Sequence, residues 1–160
     1  MRSQADQLQT IGLIGAHEAA IAELYRAYAA RFPQYATLFT ALFEEEIAHA
    51  RLLAEFVEKV RTGTVQIQSD RFTPQAIHAS LDHIGERLKE ARKGEVSALA
   101  ALSTAVDLEN GLIEKRSFEV VETDAPELQR ILRTLLTDTT AHGERLRAAW
   151  ETERKRPTDS

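Results

Sequence analysis

Apolar residues recur at helical spacing along almost the whole chain. In residues 13–32 a broad stripe is formed by Leu13, Ile14, Ile21, Leu24, Tyr25 and Tyr28. Residues 36–61 repeat it with Leu38, Phe39, Leu42, Phe43, Leu52, Leu53, Phe56 and Val60. The period breaks over residues 61–73, "RTGTVQIQSDRFT", where a glycine, an alternation and a polar cluster read as a connector. A shorter amphipathic helix follows, opened by Thr73-Pro74 and closed near Gly94. Residues 97–122 predict a long third helix. Asp124, with Glu127 three residues on, predicts the capped start of a fourth that runs to about Glu153. Pro33, Pro74, Pro126 and Pro157 all fall between periodic segments or just inside the start of one, where a missing N–H does no harm. No segment reads as a strand.

The connections set the topology. Helices one and two are joined tightly around Pro33, and three and four around Asp124, so each pair is an antiparallel hairpin. Roughly 33 residues separate helices two and three. That is enough to travel the length of a bundle of about 25 residues per helix, roughly 40 Å. The expected fold is all-α: a ferritin-like four-helix bundle whose single long crossover carries the short extra helix. We expect it to occupy residues 1–154, with a polar tail over 155–160.

Composition narrows the chemistry. At 160 residues, 43% hydrophobic and 28% charged, the chain can bury a real core. A net charge of −5 offers no footprint for nucleic acid. There is no cysteine, which excludes disulfides, iron–sulfur clusters, thiolate zinc sites and a cysteine nucleophile within these residues. Any metal must therefore be held by carboxylate and imidazole. The opening "MRSQADQLQT" lacks the layout of a signal peptide, and no apolar run is long enough to span a bilayer. The expectation is a cytoplasmic protein without a membrane partner.

The two hairpins overlay as an internal repeat. Glu18 falls on Glu109 at an offset of 91, and His49 on His142 at an offset of 93. Leu38, Phe39, Leu42, Phe43 and Leu53 fall on Ile131, Leu132, Leu135, Leu136 and Leu146, also at 93. Each hairpin thus carries a glutamate on its first helix and a histidine on its second, at similar distances from the turn. Similar distance from a turn means similar height in the bundle, so Glu18, Glu46, His49, Glu109 and His142 should share one layer. Glu46 and His49 lie about 60° apart on one helix face and can both address one ion. Charged groups in an apolar layer are costly unless they meet a metal or one another.

These motifs resemble the ferritin-like domain of the rubrerythrin family over residues 10–150. "EAAIAELY" is similar to its helix-one glutamate followed by a tyrosine, "EEEIAHA" to its Glu-x-x-His helix, and "ALSTAVDLE" to the start of its third helix. The resemblance implies a di-iron site, with manganese or a single ion as variants. Glu18, Glu46, His49, Glu109 and His142 would be its ligands and Tyr25 a catalytic neighbour. It also implies peroxide reduction or Fe(II) oxidation, with peroxide or oxygen as oxidant and an external electron donor; exposed apolar positions on the long helices point to a homodimer.

The chain departs from the family pattern. Thr139 stands where the second Glu-x-x-His motif needs its glutamate, and Asp138 is the candidate replacement. Arg116 occupies the counterpart of Tyr25, and no cysteine is present to form a rubredoxin domain. A degenerate ferritin-like scaffold with one metal or none, acting in structure or interaction, is the competing reading. His17 faces about 100° away from Glu18 and is expected at the helix surface, while His78 and His83, on the crossover helix, are expected to be structural or solvent-facing.

Overall fold

Five α-helices account for most of the residues described by the computed structural model, which are 4–62, 74–111 and 126–157. In chain order they are α1 (Gln4–Arg31), α2 (Ala36–Arg61), α3 (Pro74–Lys93), α4 (Ala98–Glu109) and α5 (Pro126–Arg154). No strand occurs among the described residues. A single 3₁₀ turn, Pro33–Tyr35, links α1 to α2, and proline fits there because its fixed φ suits the first position of a helical turn. Gly94, at φ 73°, ends α3. Its N–H donates to the Ala91 carbonyl while that of Glu95 reaches back to Glu90, the paired bonds of a Schellman cap. Ser97 then caps α4 by accepting from the Ala100 N–H at 3.1 Å.

α1 packs along α2, α4 along α5, and α2 against α5, while the crossover helix α3 lies against α1. The expected third helix is shorter than its periodicity suggested. α4 stops at Glu109, with Asn110 as its C-cap and Gly111 in a bend. An Asn-Gly pair favours leaving a helix, because neither residue repays helical order and both satisfy local turns. Residues 112–122 of that expected helix, Arg116 and the Asp124 cap lie outside the described residues. Among the described residues no helix is long and apolar enough to cross a membrane.

Among the described residues the apolar core comes in two pieces. One cluster gathers Ile21, Tyr25, Phe39, Leu42, Leu102 and Leu146 with their neighbours. The other gathers Ile14, Leu53, Phe56, Ile77, Leu132 and Leu135. On α1, α2 and α5 fully buried polar residues sit between the two in sequence, and on α4 the fully buried Glu109 follows the last member of the first cluster.

Candidate metal centre

The polar layer follows from helical periodicity. On α2 the inward positions run Leu42, Glu46, His49, Leu53, and on α5 they run Leu135, Thr139, His142, Leu146, with the same steps of four, three and four. On α1, Ile14 and Ile21 bracket Glu18; on α4, Ala105 precedes Glu109 by one turn. Because flanking apolar side chains must be buried, the polar ones between them go in too. Glu18, Glu46 and Glu109 are each 0% exposed, and His49, His142 and Thr139 each 1%.

All five residues expected in one layer converge. His142 donates from Nδ1 to Glu46 Oε1 at 3.1 Å and lies 3.7 Å from Glu109 Oε2. His49 Nδ1 is 3.4 Å from Glu46 Oε2 and 3.9 Å from Glu18 Oε2. The two imidazoles stack with centroids 5.3 Å apart. Glu46, His49 and His142 each offer one ligand atom, all within 4.8 Å of one another. Tyr25, also fully buried, donates from its hydroxyl to Glu109 Oε1 at 2.7 Å.

Each ring turns its Nδ1 inward and its Nε2 toward an acid on the other hairpin. His49 donates from Nε2 to Asp138 Oδ2 at 3.0 Å. His142 Nε2 lies 3.1 Å from Glu45 Oε2, close but outside hydrogen-bonding geometry. Glu45 in turn accepts from Arg145 at 2.9 Å. Asp138, expected as a stand-in ligand, therefore meets the outer edge of His49, with its side chain 42% exposed. It stands four residues before His142, so its side chain leaves α5 on a different line from the Thr139 and His142 pair. Glu45 was missed altogether. Its signal was available, because Glu45 and Asp138 are related by the same offset of 93 as the histidines.

His17 corrects another expectation: it is 1% exposed rather than at the surface, with Nε2 2.7 Å from Ser80 Oγ on α3. The crossover helix covers that face of α1. Burial lowers the His17 pKa, and the nearby Glu18 and Glu109 carboxylates only partly oppose it. His78 and His83 are exposed on the outer face of α3, as expected.

The layer is electrostatically frustrated as a purely protein arrangement. Burial alone would raise the pKa of Glu18, yet its contacts with Glu46 and His49 outweigh that and hold it low. Burial likewise disfavours charged His49, but Glu18 and Asp138 prevail and raise its pKa. These contacts are electrostatic more than formed hydrogen bonds on the inner side. Both Glu18 oxygens, Glu109 Oε2 and His49 Nδ1 are buried without a partner in hydrogen-bonding geometry. Several inward donors at one height, on separate helices, fit a cation, and the oxygen-rich set with imidazole suits iron or manganese. Gly143 faces α4 here: a Cβ on it would lie 3.3 Å from Asn110 Oδ1 and 3.9 Å from Glu109 Cβ.

Inward glutamates and histidines at one height in a crossed helical bundle define a ferritin-like protein with a candidate carboxylate–imidazole metal centre. The rubrerythrin family model matches residues 16–150, and the chain belongs to the rubrerythrin family. No curated protein and no solved structure matches the chain.

Proposed function

We propose that the chain holds a pair of redox-active ions, iron foremost, and uses them to reduce a small oxidant such as peroxide or oxygen or to oxidise Fe(II). The observation that carries this reading is the set of buried, inward-facing atoms of Glu18, Glu109 and His49 that have no hydrogen-bonded protein partner. Glu18, Glu46 and Glu109 would supply oxygen, and His49 and His142 would supply Nδ1. Manganese or a single ion suits the same donors. When bound, such ions supply one-electron steps and Lewis acidity.

The chain's own residues do the rest. With its Nε2–H committed to Asp138, His49 would present an Nδ1 lone pair inward once that nitrogen gives up its proton. Glu45 stands ready to take the Nε2–H of His142 once Nδ1 gives up its proton. Tyr25 fixes the orientation of Glu109 and holds a proton at its hydroxyl beside the layer. The two apolar clusters keep water from the layer along the bundle axis. Electrons would come from an external donor, since these residues include no cysteine to hold an iron–sulfur centre. A homodimer belongs to the same proposal.

Thr139 favours one rival, a scaffold holding one ion or none, because it removes a carboxylate from the second half of the site. Elemental analysis after iron-replete expression, followed by Fe(II) and Mn(II) titration, separates the two. About two ions per chain, lost in Glu46→Ala, supports the proposal. No uptake by the folded chain overturns it.

A further inference from the structure

Thr139 is the one member of the polar layer that brings no charge and no imidazole. It follows Glu46 at the repeat offset of 93, precedes His142 by three residues, and is 1% exposed. Its hydroxyl is also buried without a hydrogen-bond partner. A helical threonine can satisfy such a hydroxyl by returning it to the carbonyl four residues back. Thr10, Thr140 and Thr152 all do so, at 2.9–3.1 Å. Thr139 does not, although a buried hydroxyl left unpaired is destabilising.

We propose that Thr139 makes this half of the site a receptor for a small carboxylate from solution. The ligand, of formate or acetate size, takes the place of the missing fourth glutamate and accepts a hydrogen bond from Thr139 Oγ. Two further observations converge on an anion of that kind. A threonine side chain is shorter than a glutamate by about a carboxylate, so the replacement is complementary in size to what it lacks. Among the described residues, three buried carboxylates meet the four positive charges of two divalent ions from inside the layer, the imidazoles being neutral as ligands, while the 42% exposed Asp138 acts only on the outer nitrogen of His49. The remaining charge sits in a layer with apolar clusters on both sides, where an anion is strongly favoured over none. The inference rests on the proposed metal centre and names the exogenous ligand that this centre, unlike one with four glutamates, would accept.

The test uses the full chain loaded with Co(II), whose visible spectrum reports coordination without redox chemistry. Sodium acetate is titrated at ionic strength held constant with sodium perchlorate. The parent should show a saturable spectral change. Thr139→Glu, which carries its own carboxylate, should show none, and Thr139→Val should bind acetate roughly ten- to a hundredfold more weakly for want of one hydrogen bond to a charged group. Circular dichroism checks that each variant folds. If Thr139→Glu does not fold, Thr139→Val decides. A flat titration of the loaded parent overturns the inference, as does an unchanged acetate affinity in either folded variant, and the metal centre then stands without it. A chain that takes up no Co(II) overturns both.

Discussion

Replacing Asp138 by asparagine removes a charge while keeping the shape and an acceptor oxygen, so it isolates what that carboxylate does to His49. The bond from His49 Nε2 to Asp138 Oδ2 is 3.0 Å, and the opposite nitrogen faces Glu18 and Glu46. Outer carboxylates that orient a ligating imidazole and raise its basicity are worth roughly 10–100-fold in metal affinity. Asp138 is 42% exposed, which screens its charge and places the expected loss near the tenfold end. Tenfold is about 1.4 kcal/mol. At fixed, saturating Mn(II) this removes the same amount of metal-linked stabilisation, or roughly 3–6 °C of melting temperature for a chain of this size. Glu45 lies 3.1 Å from the outer nitrogen of His142 without forming a hydrogen bond, and Arg145 at 2.9 Å already offsets its charge. Glu45→Gln should therefore cost less, roughly threefold. Calorimetric titration of Mn(II) into parent and both variants measures this directly. Equal affinity of Asp138→Asn and parent, or a larger loss in Glu45→Gln, would refute the reasoning.

Tyr25→Phe should cost the chelator-treated protein about 1.5–3 kcal/mol, the worth of a hydrogen bond to a charged group, seen as a clear drop in melting temperature; an unchanged melt would show that Glu109 does not depend on it. Burial pushes Tyr28 up to about 12, whereas the unfolded chain loses that proton near 10. Stability from this group is thus complete below about pH 10 and declines by on the order of 2–3 kcal/mol as pH rises to 12. Tyr28→Phe should flatten that alkaline decline in urea titrations, and an identical decline would contradict the assignment. Gly143→Ala should raise stability by up to about 1 kcal/mol, because its Cβ meets only the movable end of exposed Asn110. Gly94→Ala should lower it by about 1 kcal/mol or more, since φ is 73° and the Cβ would press on the Arg31 guanidinium at 2.8 Å; thermal melts that reverse these signs would refute the packing argument.

Height along the bundle was legible in the sequence, and identity across it was not. The hairpin repeat placed Glu18, Glu46, His49, Glu109 and His142 at one level, because residues equally far from a turn rise equally along their helices. It also placed Thr139 inward, where it is found buried. What periodicity does not encode is which side chain on a neighbouring helix meets a given ring. Asp138 and Glu45 contact histidines in the opposite hairpin, a relation set by how α2 and α5 pack. His17 was misjudged for a related reason: α3 has no counterpart in the repeat, so nothing in the pattern of α1 shows which face it covers. The end of α4 was written locally in Asn110-Gly111.

Apolar helix faces are poor rulers. Leucine against isoleucine packs nearly as well one turn up or down, and a slip of about 5.4 Å costs such a surface little. In this chain a slip of that size on any helix would push a carboxylate or an imidazole in among Ile14, Leu53 and Leu135, or among Ile21, Leu42 and Leu146. An ionised group stranded there is penalised by several kcal/mol. The charged layer thus works as a detent that marks one alignment of four near-interchangeable rods and rejects its neighbours. It does so whether or not an ion is present, so the side chains able to grip a cation are also the ones that tell each helix where to stop.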